Sequence, residues 1–237
     1  SSSFSRARSA ASRREMARLP VGVIGVGALG RHHARHLAAA ESAHLVGVHD
    51  TDHARGREVA EAFGTRYYSD LDALLREVEA VTVAVPTVDH ASVGLAALGH
   101  GRAVLMEKPL AATLHEADAL VAEAARRQVP LQVGHIERFN GAVRAARPFL
   151  QSPRYLESDR LAPFQPRGTD VAVVLDLMIH DLDLILHLTG GSAAVDVRAS
   201  GVAVLSSHLD MVNARVEFAN GAVANVTASR VARERVR

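Results

Sequence analysis

Short apolar segments alternate with helix-forming segments from residue 21 to residue 136. The apolar segments are rich in β-branched residues and bounded by glycine, proline or polar turn residues, which is typical of buried strands. They lie at 21–26, 45–50, 66–69, 80–86, 103–107 and 131–136. Strands that alternate with helices favour a parallel sheet covered by helices on both faces. The sequence therefore predicts an α/β domain with a doubly wound parallel sheet of the Rossmann type.

The intervening helices are predicted at 28–40, 53–63, 70–78, 89–100 and 114–128. Ser69 is the expected N-cap of the third of them, since its hydroxyl can accept a hydrogen bond from the first helical turn. A bridging helix is predicted next, at 138–149.

The pattern changes after residue 137 to extended segments with a single long helix. Extended segments are expected at 155–163 and 195–205, and a helix at 176–188. Two further strands flank Asn220–Gly221, a strong hairpin signal. We expect a second, α+β domain with an open, mainly antiparallel sheet.

The expected domains are a leader or tag at 1–15, a nucleotide-binding domain at 16–137, and a C-terminally incomplete second domain at 138–237. The incompleteness is expected because the chain ends directly after a strand-like run.

Composition excludes several classes of protein. Hydrophobic residues make up 48% and charged residues 22% of the 237, as in ordinary globular domains. There is no cysteine, which excludes disulfides, thiolate nucleophiles and cysteine-bound metals. No apolar run approaches the roughly 18 residues of a membrane helix, and a net charge of +1 does not indicate a nucleic-acid partner. A cytoplasmic protein is expected.

A glycine-rich turn follows the first strand and opens the first helix. Gly25, Gly27 and Gly30 have the G-x-G-x-x-G spacing, with Ala28 and Leu29 inside the turn. Glycine permits the tight turn, the approach of a pyrophosphate and close packing of helix on strand. The N-terminal N–H groups of the helix then face the phosphates. The turn predicts a dinucleotide site.

Asp50 ends the second strand, 20 residues after Gly30. A carboxylate at this position accepts hydrogen bonds from the ribose hydroxyls of NAD and repels the 2′-phosphate of NADP. No arginine follows it immediately, so NAD is the expected cofactor.

Lys108 is the only lysine among 27 basic residues. It follows the strand at 103–107, and the carboxyl ends of parallel strands face the ligand crevice in this fold. Arginine cannot replace lysine where a compact or titratable amine is needed. We therefore expect Lys108 near the nicotinamide, where it can hydrogen-bond a substrate hydroxyl and assist proton transfer.

Polar residues form a stripe along the helix at 176–188: Asp176, His180, Asp183 and His187. In a catalytic interpretation His180 accepts a hydroxyl proton and Asp176 orients its imidazole. Metal ligation by Asp176 and His180 is an alternative, although no third ligand is recognisable. A solvated face is the third interpretation, and it is favoured for Asp183 and His187.

The combination of these motifs resembles the Gfo/Idh/MocA family of sugar and inositol dehydrogenases. The resemblance runs from about residue 20 to the end, through GVIGVGALG, Asp50, AVPTVDH, EKP, VGHIERFN and DLMIHDLD. It implies an NAD(P)-binding first domain and a second domain whose open sheet often mediates oligomerisation, so a homo-oligomer is expected. Lys108, Asp176 and His180 match the catalytic set of the family.

Further site residues follow from the same resemblance. Pro86, Thr87, His90 and Glu107 match positions near the cofactor, and Arg138 and Asn140 lie where the family meets its substrate. Arg138, Arg160 or Arg167 would suit a diphosphate.

The resemblance implies NAD-dependent oxidation of a secondary hydroxyl of a sugar or nucleotide sugar, with C3 of UDP-N-acetylglucosamine as the best candidate. An inositol or aldose substrate, or a non-catalytic NAD-binding sensor or scaffold, are the alternatives. No metal is expected.

Overall fold

A computed structural model describes residues 18–165 and 171–237. The predicted leader at 1–15 and Arg167 lie outside this described part. The described residues form two compact units: the first comprises those up to Met106 together with Leu114–Gln132, and the second comprises Glu107–Thr113 and those from Val133 to Arg237. The domain boundary predicted at 137 therefore lies inside the second unit. The difference arises because 107–113 and 133–137 make their contacts with the later part of the chain.

The first unit is built on a six-stranded sheet with the order β3-β2-β1-β4-β5-β6. Its strands are β1 (Leu19–Ile24), β2 (Ala43–His49), β3 (Arg66–Tyr68), β4 (Ala80–Val83), β5 (Ala103–Met106) and β6 (Leu131–Val133). The neighbours from β3 through β5 pair in parallel. This is the strand order of a dinucleotide-binding Rossmann sheet, and it confirms the predicted doubly wound fold.

Five helices connect these strands: α1 (Ala28–Ala39), α2 (His53–Ala62), α3 (Leu71–Glu77), α4 (His90–Gly99) and α5 (Leu114–Arg127). Between α1, α2 and the sheet, Val23, Val48 and Val59 are fully buried. The predicted cap of α3 is wrong by one residue. Asp70 is the N-cap, and its carboxylate accepts from the backbone N–H of Asp72.

The second unit contains a four-stranded sheet with the order β7-β10-β9-β8. Its strands are β7 (Tyr155–Leu161), β8 (Ala194–Val202), β9 (Met211–Phe218) and β10 (Val223–Ser229). Only the pairing of β7 with β10 is parallel; β8, β9 and β10 are antiparallel neighbours. The predicted hairpin is confirmed, since Gly221 adopts a φ of +80° between β9 and β10.

One face of this sheet packs against helix α7 (Ile179–Leu188). Alternate residues of β9 and β10 point to that face, among them Val212, Val216 and Val226, and they bury Met178 and Ile185. The helix predicted at 138–149 is interrupted. A 3-10 turn over Ile136–Phe139 precedes α6 (Gly141–Ala146), and a second 3-10 turn covers Arg147–Phe149. Gly141 and Pro148 explain the interruptions, because both residues disfavour a continuous helix.

In the described part of the chain, none of the helices combines the length and apolar character needed to cross a bilayer.

Candidate active site

The glycine turn of the first unit is shaped for a ligand as well as for packing. Gly25 has a φ of +79°, and a Cβ on Gly30 would lie 1.8 Å from the carbonyl oxygen of Gly25. A Cβ on Gly27, by contrast, would meet no atom within 4 Å. Packing therefore requires glycine at position 30 but not at 27, where the open space suits a bound group.

The N-terminus of α1 lies at the same turn. Gly27 is its N-cap, and no side chain caps the first N–H groups. Ala28 and Leu29 form the exposed first turn of the helix. An uncapped N-terminus with a partial positive charge fits a pyrophosphate. The residues at the turn therefore fit the dinucleotide expected from the sequence.

Asp50 follows β2 and is 4% exposed. Its Oδ2 accepts from the Val26 N–H (2.8 Å) and Arg55 Nε (3.1 Å), and its Oδ1 accepts from the Asp52 N–H (2.8 Å) and Arg55 Nη2 (2.7 Å). Burial raises the pKa of Asp50, but the hydrogen bonds from Arg55 and from the backbone outweigh it and leave the pKa below its ordinary value.

Arg55 was not predicted as a partner of Asp50. No arginine follows Asp50 immediately in the sequence, but the first turn of α2 carries Arg55 back to the carboxylate from five residues further along.

The loop after β4 holds the other predicted cofactor residues of the first unit. Pro86 is exposed and Thr87 is half-buried, and both begin a 3-10 turn. His90 is only 1% exposed, and its Nε2 lies 3.0 Å from the carbonyl oxygen of Val85. The His90 ring therefore contacts the backbone of the loop after β4, and the cofactor contact expected for His90 stays a prediction.

In the second unit, Lys108 is held by Asp176. The Nζ of Lys108 donates to the backbone oxygen of Asp176 at 2.7 Å and to its Oδ1 at 3.2 Å. Glu107 lies beside them, with its Oε2 3.2 Å from the Lys108 N–H and its carboxylate against Gly134. The structure thus brings together Lys108 and Asp176, which are 68 residues apart in sequence.

The expected hydrogen bond between Asp176 and His180 is absent from the described residues. The segment Val174–Met178 is a π-helical turn, in which the Ile179 N–H bonds the Val174 carbonyl, and α7 begins after it. A π turn is wider than an α turn. Asp176 lies in this turn, and its backbone and side-chain oxygens bind Lys108.

His180 is a half-buried, neutral imidazole. Its Nδ1 is inaccessible to solvent and has no hydrogen-bond partner. Burial, together with the positive charges of Lys108 and Arg160, lowers the pKa of His180 to about 4. At neutral pH the ring can therefore accept a proton. An unpartnered polar atom costs free energy when it is buried, and this nitrogen bears that cost in the structure.

Asp183 and the predicted substrate residues have partners inside the unit. Asp183 is buried and accepts from Arg138 Nε at 2.7 Å and Nη2 at 2.5 Å. The solvated face expected for Asp183 is therefore wrong, because Arg138 neutralises the carboxylate. Asn140 caps α6 through its Oδ1, which accepts from the Ala142 N–H.

A buried charge cluster next to His180 was not predicted. Arg160 on β7 donates to Asp181 from Nε (2.5 Å) and Nη2 (2.9 Å), and its Nη1 lies 3.6 Å from Glu137. Glu137 also pairs with Arg237. The expected diphosphate role of Arg160 is not supported, because its guanidinium is buried and already paired. The sequence could not predict that Asp181 is buried and paired, because nothing in the sequence distinguishes it from the other acidic residues.

A second histidine, His135, also has a buried ring nitrogen without a hydrogen-bond partner. His135 follows β6, and the buried nitrogen is its Nδ1. Burial lowers the pKa of His135, and Asp183 partly opposes that shift. No role was predicted for His135.

A Rossmann sheet with an open glycine turn, in the same chain as a lysine, carboxylate and imidazole cluster, defines an NAD-binding oxidoreductase. Residues 19–135 match the sequence profile of the Gfo/Idh/MocA oxidoreductase family, described as an NAD-binding Rossmann fold, and residues 132–237 match its C-terminal domain. The chain belongs to this family.

Two curated relatives illustrate the range of the family. The chain is 47% identical over 223 residues to a UDP-N-acetylglucosamine 3-dehydrogenase of Acidithiobacillus ferrooxidans, covering 94% of this chain and 70% of the relative. It is 35% identical over 187 residues to inositol 2-dehydrogenase 2 of Saccharopolyspora erythraea, covering 72% of this chain and 53% of the relative. The chain thus spans between about half and seven-tenths of their lengths.

Solved structures agree with these matches. The structure of the Acidithiobacillus ferrooxidans enzyme superposes with a TM-score of 0.89, covering 94% of this chain and 73% of the other. GenD2 from gentamicin A biosynthesis, solved in complex with NAD, superposes with a TM-score of 0.83 at 27% identity, covering 92% of this chain and 67% of the other. The family and this NAD complex confirm the predicted cofactor, NAD.

Proposed function

We propose that the protein oxidises a secondary hydroxyl of a nucleotide sugar, with C3 of UDP-N-acetylglucosamine as the first substrate to test. The observation that carries the proposal is the pairing of the only lysine with Asp176 in the same unit as a neutral imidazole that lacks a partner. The relative that is 47% identical acts, by its name, on this substrate.

Bound NAD supplies the hydride acceptor of the reaction. His180 takes the proton of the substrate hydroxyl on an imidazole nitrogen, which its lowered pKa leaves unprotonated at neutral pH. Lys108 donates a hydrogen bond to the same oxygen and stabilises the negative charge that develops on it. Asp176 holds the Lys108 ammonium in place through both its backbone and side-chain oxygens.

We assign the remaining predicted residues to binding. The glycine turn with Ala28 and Leu29 receives the pyrophosphate, Asp50 the ribose, and Pro86, Thr87 and Glu107 the nicotinamide half. The Nη1 group of Arg138 remains for a substrate oxygen, because Nε and Nη2 bind Asp183. Asn140 acts on the substrate through the position of the segment that it caps.

An inositol is the second candidate substrate. Relatives named inositol 2-dehydrogenase are up to 35% identical to this chain. The chemistry at Lys108 and His180 would be unchanged, so only a substrate panel separates the two.

The assembly and compartment belong to the same proposal. Strand β8 is exposed along almost its whole length, including Val195, Val197 and Val202. Apolar residues on an exposed sheet mark an interface, and a second copy of the chain is the partner that we propose. An enzyme that uses NAD and a nucleotide sugar fits the cytoplasm.

The test is a substrate panel with NAD, in which reduced nicotinamide is followed by absorbance. UDP-N-acetylglucosamine, other UDP-sugars, inositols and aldoses are compared in the wild-type protein. Lys108→Arg and His180→Ala should each lower kcat by about two orders of magnitude or more, while NAD still binds in calorimetry. His187→Ala, on the same helix, is the matched control and should retain its turnover. Near-normal turnover in both site variants would exclude the assigned roles.

A further inference from the structure

The carboxylate of Asp50 has no acceptor capacity left for a ribose. A carboxylate offers about four lone-pair positions. All four are used, two by the backbone N–H groups of Val26 and Asp52 and two by the guanidinium of Arg55. The ribose diol of a dinucleotide needs two acceptors at this carboxylate, so two of the present donors must leave.

Arg55 is the donor that can leave. The two N–H groups belong to the backbone at the ends of β1 and β2 and cannot move without breaking the turns. The Arg55 side chain is 44% exposed, and its Nη1 already lies 3.4 Å from a second acceptor, Asp52 Oδ2. Rotation toward Asp52 therefore frees Asp50 and keeps the guanidinium paired.

A displaced Arg55 remains beside the ribose. Arg55 is anchored on the first turn of α2, five residues from Asp50. The Asp50 carboxylate would then hold the ribose hydroxyls in its place. When NADP is bound, the phosphate on its 2′-oxygen would lie near the guanidinium of Arg55, which the ribose hydroxyls have displaced from Asp50. Guanidinium and phosphate form short, bidentate, charge-assisted hydrogen bonds, which offset the repulsion from Asp50.

We propose that Arg55 is a cofactor-specificity residue, which lets the turn accept NADP as well as NAD and weakens NAD by competing for Asp50. The proposal rests on the ribose-binding role proposed for Asp50, and it is independent of the sugar. It changes the expectation from the sequence, in which Asp50 alone selects against NADP.

Calorimetric titration of the protein with NAD and with NADP tests the proposal without any turnover. The wild-type protein should bind both, with dissociation constants within about tenfold of each other. Arg55→Ala should weaken NADP binding by about 10- to 100-fold, the effect of losing charge-assisted hydrogen bonds, and leave NAD binding equal or tighter. Arg55→Lys keeps the positive charge but loses the bidentate geometry of the guanidinium. Its affinity for NADP should lie between those of the wild-type protein and Arg55→Ala.

Arg57→Ala is the matched control on the same helix, because the Arg57 guanidinium lies over the ring of Tyr67, 5.9 Å from its centroid, and not on Asp50. It should change neither affinity. NADP that fails to bind the wild-type protein while NAD binds would overturn the proposal, as would an equal loss of both cofactors in Arg55→Ala. If both cofactors behave as expected but no sugar is oxidised, the proposed substrate fails and the role of Arg55 stands.

Discussion

The buried pair between Arg160 and Asp181 provides a measurable test of how the second unit holds His180. Both side chains are below 10% exposed, at 8% and 9%, and two hydrogen bonds of 2.5 and 2.9 Å join them. Arg160→Met removes the guanidinium and leaves the buried carboxylate of Asp181 without this partner, whereas Glu137 keeps Arg237. Breaking a buried pair from one side costs about 3–5 kcal/mol.

The loss of about 3–5 kcal/mol is expected because the pair is buried. The urea dependence of unfolding for a small unit is about 1–3 kcal/mol/M, so this loss should lower the urea midpoint of the second unit by about 2 M. Arg198→Met is the control, since Arg198 pairs with Asp196 on the surface with 81% of its side chain exposed. A surface pair contributes about 0–1 kcal/mol, and the control should move the midpoint little.

The assay is urea unfolding followed by circular dichroism, with the transitions of the two units fitted separately. The double variant Arg160→Met with Asp181→Leu should recover much of the loss, because it removes the uncompensated charge instead of burying it. Equal midpoint shifts in Arg160→Met and Arg198→Met would refute the reasoning, since burial would then have no influence on how much an ion pair contributes to the free energy of unfolding.

Two further predictions concern the cofactor turn and His180. Gly30→Ala should destabilise the first unit, because the added Cβ would lie 1.8 Å from the Gly25 oxygen. The Cβ added by Gly27→Ala would meet no atom, so this variant should fold normally but bind NAD at least about tenfold more weakly in calorimetry. A His180 pKa of about 4 keeps the base neutral above that pH, so kcat/KM for oxidation should stay level from pH 7 to about 5 and fall toward pH 4. An inflection near the ordinary histidine value of about 6.5 would contradict the burial of His180.

The local patterns determined much of the fold from the sequence alone. Alternating apolar strands and helices predicted the doubly wound sheet, and Asn220–Gly221 predicted the hairpin, because these signals depend on neighbouring residues. The three glycines and Lys108 could be recognised for the same reason: they lie in the turns that follow β1 and β5, where the parallel fold places its ligands.

Tertiary structure alone decided which charged groups are partners. The sequence contains many arginines and carboxylates, and only the path of the chain selects Arg55 for Asp50, Arg138 for Asp183 and Arg160 for Asp181. The π turn before α7 also cannot be predicted from a 3.6-residue period, and neither can the pairing of Asp176 with Lys108, 68 residues away in sequence. Periodicity reports the regular part of a helix, whereas ion pairs form between groups that folding brings together from distant positions.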